Sequence, residues 1–316
     1  MKKLKIHSIA LVSMLLWGMS YIWSKMVFTF YSPLATIFFR LLISFVSLFL
    51  LIFLTQRFEK IKKQDYWLFA VGALFNPFLY FIGENYGLKM VSASLSSIVV
   101  ATIPLFAPFA AYYYFKEKLK PVNLAGLILS FAGLLIIILK KDFSLNVNPT
   151  GLLLLFLAVF SAVFYTIFLK KLTSRYHPIT IITWQNFLSA LYFLPFFLYF
   201  ETPTVFNTIP PWKILGALLL LGVFASSMAF VLFAAVVKGL GVIQSSLYTN
   251  LIPVFTVIFA YYFLNEPLTI NKLVGMLVVI TGIILSESGK IRSDPSAQNH
   301  QQEATAIQDK SNPESQ

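Results

Sequence analysis

Residues 96–133 read SSIVVATIPLFAPFAAYYYFKEKLKPVNLAGLILSFAG, and 149 residues later residues 245–282 read SSLYTNLIPVFTVIFAYYFLNEPLTINKLVGMLVVITG. Thirteen of the 38 positions are identical. Among them are Pro104/Pro253, Glu117/Glu266, Gly126/Gly275 and Gly133/Gly282, residues with backbone or turn consequences that apolar composition alone would not align. The chain therefore reads as one unit written twice, and whatever fold the first copy adopts must also suit the second.

The solvent for that fold is lipid. Of the 316 residues, 58% are hydrophobic and 11% charged, with a mean hydropathy of +0.80, outside the range of soluble domains. There is no Cys, which excludes disulfides, thiolate metal sites and cysteine nucleophiles. His7, His177 and His300 and the four aspartates all fall outside the apolar runs, so metal or acid–base chemistry inside the membrane has few groups to use, and no cofactor or metal is expected. The net charge of +12 comes from short Lys/Arg clusters between apolar runs, a topological pattern rather than a nucleic-acid footprint. The first apolar run continues to Phe28 with no small-residue cleavage site, and is read as an uncleaved span.

A helix needs about 20 apolar residues to cross the hydrocarbon core. That ruler gives ten spans, near 8–28, 33–54, 67–88, 92–115, 122–139, 150–169, 179–199, 212–237, 242–264 and 271–287. With the N-terminus in the cytoplasm, 17 Lys and Arg fall on the inside and five on the outside, the remaining two being Lys25 and Arg40 within spans. Both termini are then cytoplasmic. Five spans per copy is an odd number, so the second copy enters the membrane inverted. The expected organisation is residues 1–142 as the first repeat, 143–289 as the second, and 290–316 as a polar, disordered cytoplasmic tail. Pro33 and Pro178 open the second helix of each copy, where a missing N–H costs nothing. Gly126, Ser130 and Gly133, and Gly275 and Gly282, mark faces where two backbones could meet.

The acid that follows the fourth helix in FKEKL (115–119) and LNEPL (264–268), the Gly-x6-Gly helix after it, the stretch GLKMVSAS (87–94), and the prolines Pro104 and Pro253 resemble the EamA type of the drug/metabolite transporter superfamily. The resemblance covers residues 6–288. It implies an all-α membrane fold of ten helices in two inverted five-helix repeats, with both termini inside and a central cavity lined by the first four helices of each half. Arg40 matches a position where members often carry Arg. Glu84-Asn85 depart from the pattern, standing where many members are apolar or aromatic.

Candidate functional residues follow from the expense of polar groups in lipid. Arg40 lies about 10 Å, and Glu84 about 6 Å, from the outer ends of their spans at 1.5 Å per residue, comparable depths. Glu84 is read as a proton-titrating or substrate-amine-binding carboxylate partnered by Arg40 in the empty site; the other readings are a permanent structural pair, or a Glu84 that merely reaches the interface. Lys25 reads as snorkelling to the headgroups. Trp17 and Tyr21 share a face of span one, Tyr165 sits at the corresponding depth in span six, and Asn76, Tyr80 and Glu84 form one stripe of span three. Trp184, Gln185 and Asn186 in span seven and Gln244, Tyr248 and Asn250 in span nine complete the candidate substrate-binding set, the amides divided between cavity lining and interhelical hydrogen bonds. Pro104 and Pro253 are expected to bend their helices mid-membrane, as gating elements or as shape alone. Glu117 and Glu266 read as turn and cap residues.

These features point to a transporter of the cytoplasmic (inner) membrane that exports a small metabolite or amino acid by alternating access, with protons as the candidate coupling ion. No GxxxxGK[ST] loop is present, so ATP is not used directly. The expected partners are a small-molecule substrate and the bilayer, not nucleic acid, with the oligomeric state open between monomer and dimer. The alternatives are a passive facilitator or exchanger of the same fold and a membrane-embedded enzyme.

Overall fold

In a computed structural model the described residues are 2–56, 58–106, 121–138, 147–205 and 208–291. They are helical, with no strand among them. In chain order the helices are α1 (Lys2–Val27), α2 (Pro33–Thr55), α3 (Tyr66–Ala73), α4 (Tyr80–Met90), α5 (Ala93–Val100), α6 (Pro121–Ile138), α7 (Pro149–Thr173), α8 (Pro178–Phe200), α9 (Trp212–Leu220), α10 (Ala229–Thr249), α11 (Leu251–Leu264) and α12 (Ile270–Ile291). Among the described residues six helical stretches are long and apolar enough to cross a membrane, and four shorter apolar ones accompany them. The 290–316 tail and Glu117 lie essentially or wholly outside the described residues.

Local chemistry sets the starts. Pro33 and Pro178 each occupy the first turn of their helix, behind Ser32, whose hydroxyl accepts from the Ala35 amide, and behind His177. Asn148 caps α7 by accepting from the Thr150 and Gly151 amides. These side chains satisfy amides that the first helical turn leaves unpaired.

Four expected spans are not continuous helices. Between α3 and α4 the backbone opens into a wide π turn, Leu74–Leu79, in which Asn76 has non-helical φ/ψ (−145°, 120°) beside Pro77. A second wide turn, Leu221–Met228, separates α9 from α10. The fourth expected span ends as α5 at Val100, turns at Ala101 and Thr102, and resumes at Ile103. The ninth breaks at Asn250. Pro104 and Pro253 therefore stand in the first turn after a break, not within a continuous bent helix as the sequence suggested.

Packing is reciprocal. Helices α6 and α12 run antiparallel with backbones in contact: a Cβ on Gly133 would meet the Gly275 carbonyl at 2.8 Å, and one on Gly282 would meet the Gly126 carbonyl at 2.7 Å. Ser130 donates across the same seam to the Val279 carbonyl at 3.0 Å. Helix α2 packs on the Leu221–Met228 turn, and α8 on the Leu74–Leu79 turn. On the outside, leucines and phenylalanines such as Phe53, Leu54, Leu153 and Leu277 stand exposed, as a lipid-facing surface requires.

Candidate functional site: a cavity around Arg40 and Glu84

Between these helices lies a cavity of about 110 Å³, room for several waters or a small ligand. Its wall includes Trp17, Ser20, Tyr21, Arg40, Asn76, Tyr80, Phe81, Glu84, Tyr165, Phe230 and Phe233, with Val100, Ile103, Pro104, Thr249 and Ile252 toward one side. Seven aromatic and nine aliphatic side chains make up most of it, and one cation and one anion interrupt them.

The two charges are held from both ends of the sequence. Arg40 is 2% exposed. Its Nε donates to Ser226 Oγ at 2.8 Å, its Nη1 lies 3.9 Å from Glu84 Oε2, and its guanidinium carbon sits 4.2 Å from the centre of the Phe81 ring. Tyr80 donates to Glu84 Oε1 at 2.9 Å and Asn85 Nδ2 approaches Oε2 at 3.4 Å. The Arg–Glu separation is beyond direct hydrogen-bond length, so the pair is coupled through the field while each ion is held by neutral partners. Ser226 belongs to the second wide turn, so Arg40 ties that turn to α4. Asn76 lines the wall because the first wide turn carries it there, and its Oδ1 is buried with no hydrogen-bond partner among the described residues.

Polar groups at the breaks are met from the other half of the chain. Ser161 donates to the Phe75 carbonyl at 2.6 Å and Ser189 to the Ala73 carbonyl at 2.9 Å. Ser13 donates to the Ala229 carbonyl at 2.8 Å, and Ser227 and Asn186 both donate to Ser44 Oγ, at 2.7 and 2.6 Å.

The EamA-like transporter family matches residues 4–139 and, separately, residues 149–287. The chain belongs to the EamA-like transporter family. It is 28% identical over 286 residues to an uncharacterized transporter of Archaeoglobus fulgidus, covering 89% of this chain and 97% of that one. It is also 28% identical over 272 residues to the uncharacterized transporter YvbV of Bacillus subtilis, with 86% and 88% covered. A solved chain described only as a crystal structure of a protein superposes with a TM-score of 0.67 at 15% identity, over 89% of this chain and 98% of its own, which shows a shared fold. This is a multi-pass membrane protein of a transporter family.

Within this EamA-family protein the expected site residues divide. Trp17, Tyr21, Arg40, Asn76, Tyr80, Glu84, Pro104 and Tyr165 line the cavity. Gln185 stands behind it, accepting from the Tyr165 hydroxyl at 2.8 Å. Asn186 is buried in interhelical bonds to Ser44 and the Ser226 carbonyl. Trp184 does not belong with them: it is 40% exposed, against Phe187 on the outer surface, because it is one helical step, 100°, from its inward neighbour. Tyr248 bonds His7 rather than the cavity. Asn250 is buried at the break preceding α11 and Pro253 is buried in its first turn; neither is part of the wall. The Gln244 side chain lies outside the described residues. Ser20, Phe81, Thr166, Phe230 and Phe233 line the wall without having been singled out; among 33 phenylalanines only the 4.2 Å stacking of Phe81 under Arg40 sets one apart. Glu266 caps a helix, but a distant one: it accepts from the Ala93 and Ser94 amides of α5.

Proposed function

We propose that this chain is a secondary transporter that exports a small polar or amphipathic metabolite, an amino acid among the candidates, across the cytoplasmic membrane by alternating access. The observation that carries the reading is the cavity itself: a space walled by aromatic and aliphatic side chains, holding one buried cation and one buried anion, between elements contributed by both ends of the sequence. The twofold match to the family and the reciprocal Gly133–Gly275 and Gly126–Gly282 contacts support two inverted repeats, residues 1–142 and 143–289, of five spans each. The basic-residue asymmetry supports cytoplasmic termini. Trp17, Tyr21, Asn76, Tyr80 and Tyr165 form the substrate-binding wall in this reading. Glu84 and Arg40 are its charged anchors, each able to exchange its distant ionic partner for a substrate group of opposite sign. A catalytic reading has less to stand on: among the described residues no three His, Cys, Asp or Glu side chains gather.

The test is uptake by the purified protein in proteoliposomes across a metabolite panel, with and without a pH gradient. Saturable uptake that Glu84→Gln weakens supports the proposal, and a dependence on the gradient adds proton coupling. Uptake unchanged in Glu84→Gln at every pH removes Glu84 from the site. No uptake of any member of a broad panel by folded protein overturns the transport reading. Exchange of internal for external substrate without a gradient would identify the facilitator or exchanger form.

A further inference from the structure

Glu266 stands in the connector between α11 and α12, after Asn265, which ends α11 in the left-handed conformation (φ 54°). Its carboxylate reaches the start of α5: Oε1 accepts from the Ala93 amide at 2.7 Å, and Oε2 from the Ser94 amide at 3.3 Å and the Ser94 hydroxyl at 2.6 Å. Ser92 takes the Leu95 amide at 3.2 Å. The open amides of a helix N-terminus favour an anion, and here a residue 173 positions away supplies it.

Beneath this contact Leu88, Ala93 and Ala260 are completely or almost completely buried, packed in one apolar plug with Ile22 and Ile252. Ile252 also lines the cavity, as does Val100 at the far end of α5. Helix α5 thus runs about 10 Å, and α11 about 18 Å, from the cavity wall to the carboxylate at 1.5 Å per residue. Each of these half-length helices is broken at its cavity end, α5 at Ala101–Thr102 and α11 at Asn250. Two short helices thus reach the cavity at the ends where they are interrupted, and are joined through the carboxylate at the opposite ends.

We infer that Glu266 is a latch that holds the cavity shut at the end of the molecule where α5 begins and α11 finishes. The inference rests on the alternating-access reading and names the part that must let go. Release leaves neither side stranded: Lys272 Nζ already lies 3.5 Å from Oε2, and Lys25 of α1 is within electrostatic reach, while water admitted by opening meets the freed α5 amides. Lys272 and Lys25 are the charged groups that face the carboxylate from the neighbouring elements. Because partners wait on both sides, the fastening is reversible.

The chain has no native Cys, so a single introduced thiol reports opening without background. Ala260→Cys, in the plug, is labelled in proteoliposomes with a membrane-impermeant methanethiosulfonate, alone and combined with Glu266→Gln, Glu266→Asp or Ser94→Ala. Ala10→Cys, buried near the other end of α1, is the control. The latch predicts labelling of Ala260→Cys at least tenfold faster with Glu266→Gln, a smaller acceleration with Glu266→Asp or Ser94→Ala, and no change at Ala10→Cys. Unchanged labelling at Ala260→Cys overturns the latch, and equal acceleration at both positions makes Glu266 a structural staple, which also overturns it. Labelling reads opening whether or not a substrate has been found. Faster labelling with no uptake of any metabolite defeats the transport reading alone, and robust uptake with unaltered labelling defeats the latch alone.

Discussion

Removing either member of the Arg40–Glu84 pair tests whether this pair is desolvated as the structure implies. At 3.9 Å, Coulomb's law gives an attraction of about 4 kcal/mol at an effective dielectric constant of about 20, and about 1 kcal/mol in bulk water. Both residues are buried, at 2% and 7% exposure, so the first figure applies if the cavity is dry around them. Glu84→Gln keeps an acceptor for Tyr80 but strands the guanidinium, and Arg40→Met keeps the volume but strands the carboxylate. Each single change is expected to destabilise the fold by about 3 kcal/mol or more, the usual consequence of leaving one buried charge without its partner. The double variant Arg40→Met/Glu84→Gln strands neither, and is expected to lose about 2–4 kcal/mol less than the sum of the singles. Unfolding by sodium dodecyl sulfate in mixed micelles, followed by the fluorescence of the five tryptophans, measures all four corners of the cycle. A coupling at or below about 1 kcal/mol would match the bulk-water value, and would refute the reasoning by showing that solvent screens the pair.

Gly282→Ala places a methyl carbon 2.6 Å from the Ser130 amide nitrogen and 2.7 Å from the Gly126 carbonyl oxygen, so α12 must back away from α6 at a loss of about 1–3 kcal/mol. Gly216→Ala, with nothing within 4 Å of the new carbon, is expected to be neutral or to stabilise by up to about 1 kcal/mol through helix propensity; the same micelle titration checks both. Asp65, 1% exposed, accepts from Tyr176 at 2.6 Å and pairs with Arg175, so Asp65→Asn should lose about 1–3 kcal/mol. Arg175→Gln should lose under about 1 kcal/mol, its own side chain being half exposed and its attraction correspondingly screened. Burial, reinforced by the bond to Asp65, pushes the Tyr176 phenol above its ordinary value. The folded state then holds this proton more tightly than the unfolded state, so the stabilisation is full below about pH 10 and is lost as pH rises through the folded value. Tyr176→Phe should flatten that alkaline loss in a pH series of melting temperatures and leave neutral pH unaffected by this titration.

The sequence exposed charges more readily than shapes. Arg40 and Glu84 stood out because a charge in lipid demands a reason, and their similar depths in adjacent spans were enough to expect a meeting that the structure places at 3.9 Å. The glycine faces were legible for a comparable reason, since only a close backbone approach makes their spacing useful. Helix breaks were less visible. Pro77 marks the first wide turn, but Leu221–Met228 contains no proline, and only Gly222 and the Ser226–Ser227 pair set it apart from a continuous apolar helix. The prolines that did repeat, Pro104 and Pro253, mark the residues just after a break rather than a bend within a helix. Side-chain direction was hardest: Trp184 faces outward and Gln185 inward, although the chain places them side by side, and a span that is apolar all round carries no phase from which to choose.

A helix can open its hydrogen-bond ladder at mid-membrane only if something else meets the freed groups, and this identifies what holds the two ends of the chain together. The Ala73 carbonyl, whose donor four residues on would be Pro77, is met by Ser189, and the Phe75 carbonyl, which also accepts from the Tyr80 amide, is met by Ser161. At the second, Ser13 meets the Ala229 carbonyl, and Ser44 gathers Ser227 and Asn186. Ser13 and Ser161 are on the opening helices of the two proposed repeats, and Ser44 and Ser189 on the second, so each repeat supplies from equivalent helices what the other's broken helix lacks. Pulling the repeats apart would strand carbonyls and hydroxyls in lipid on both sides at once.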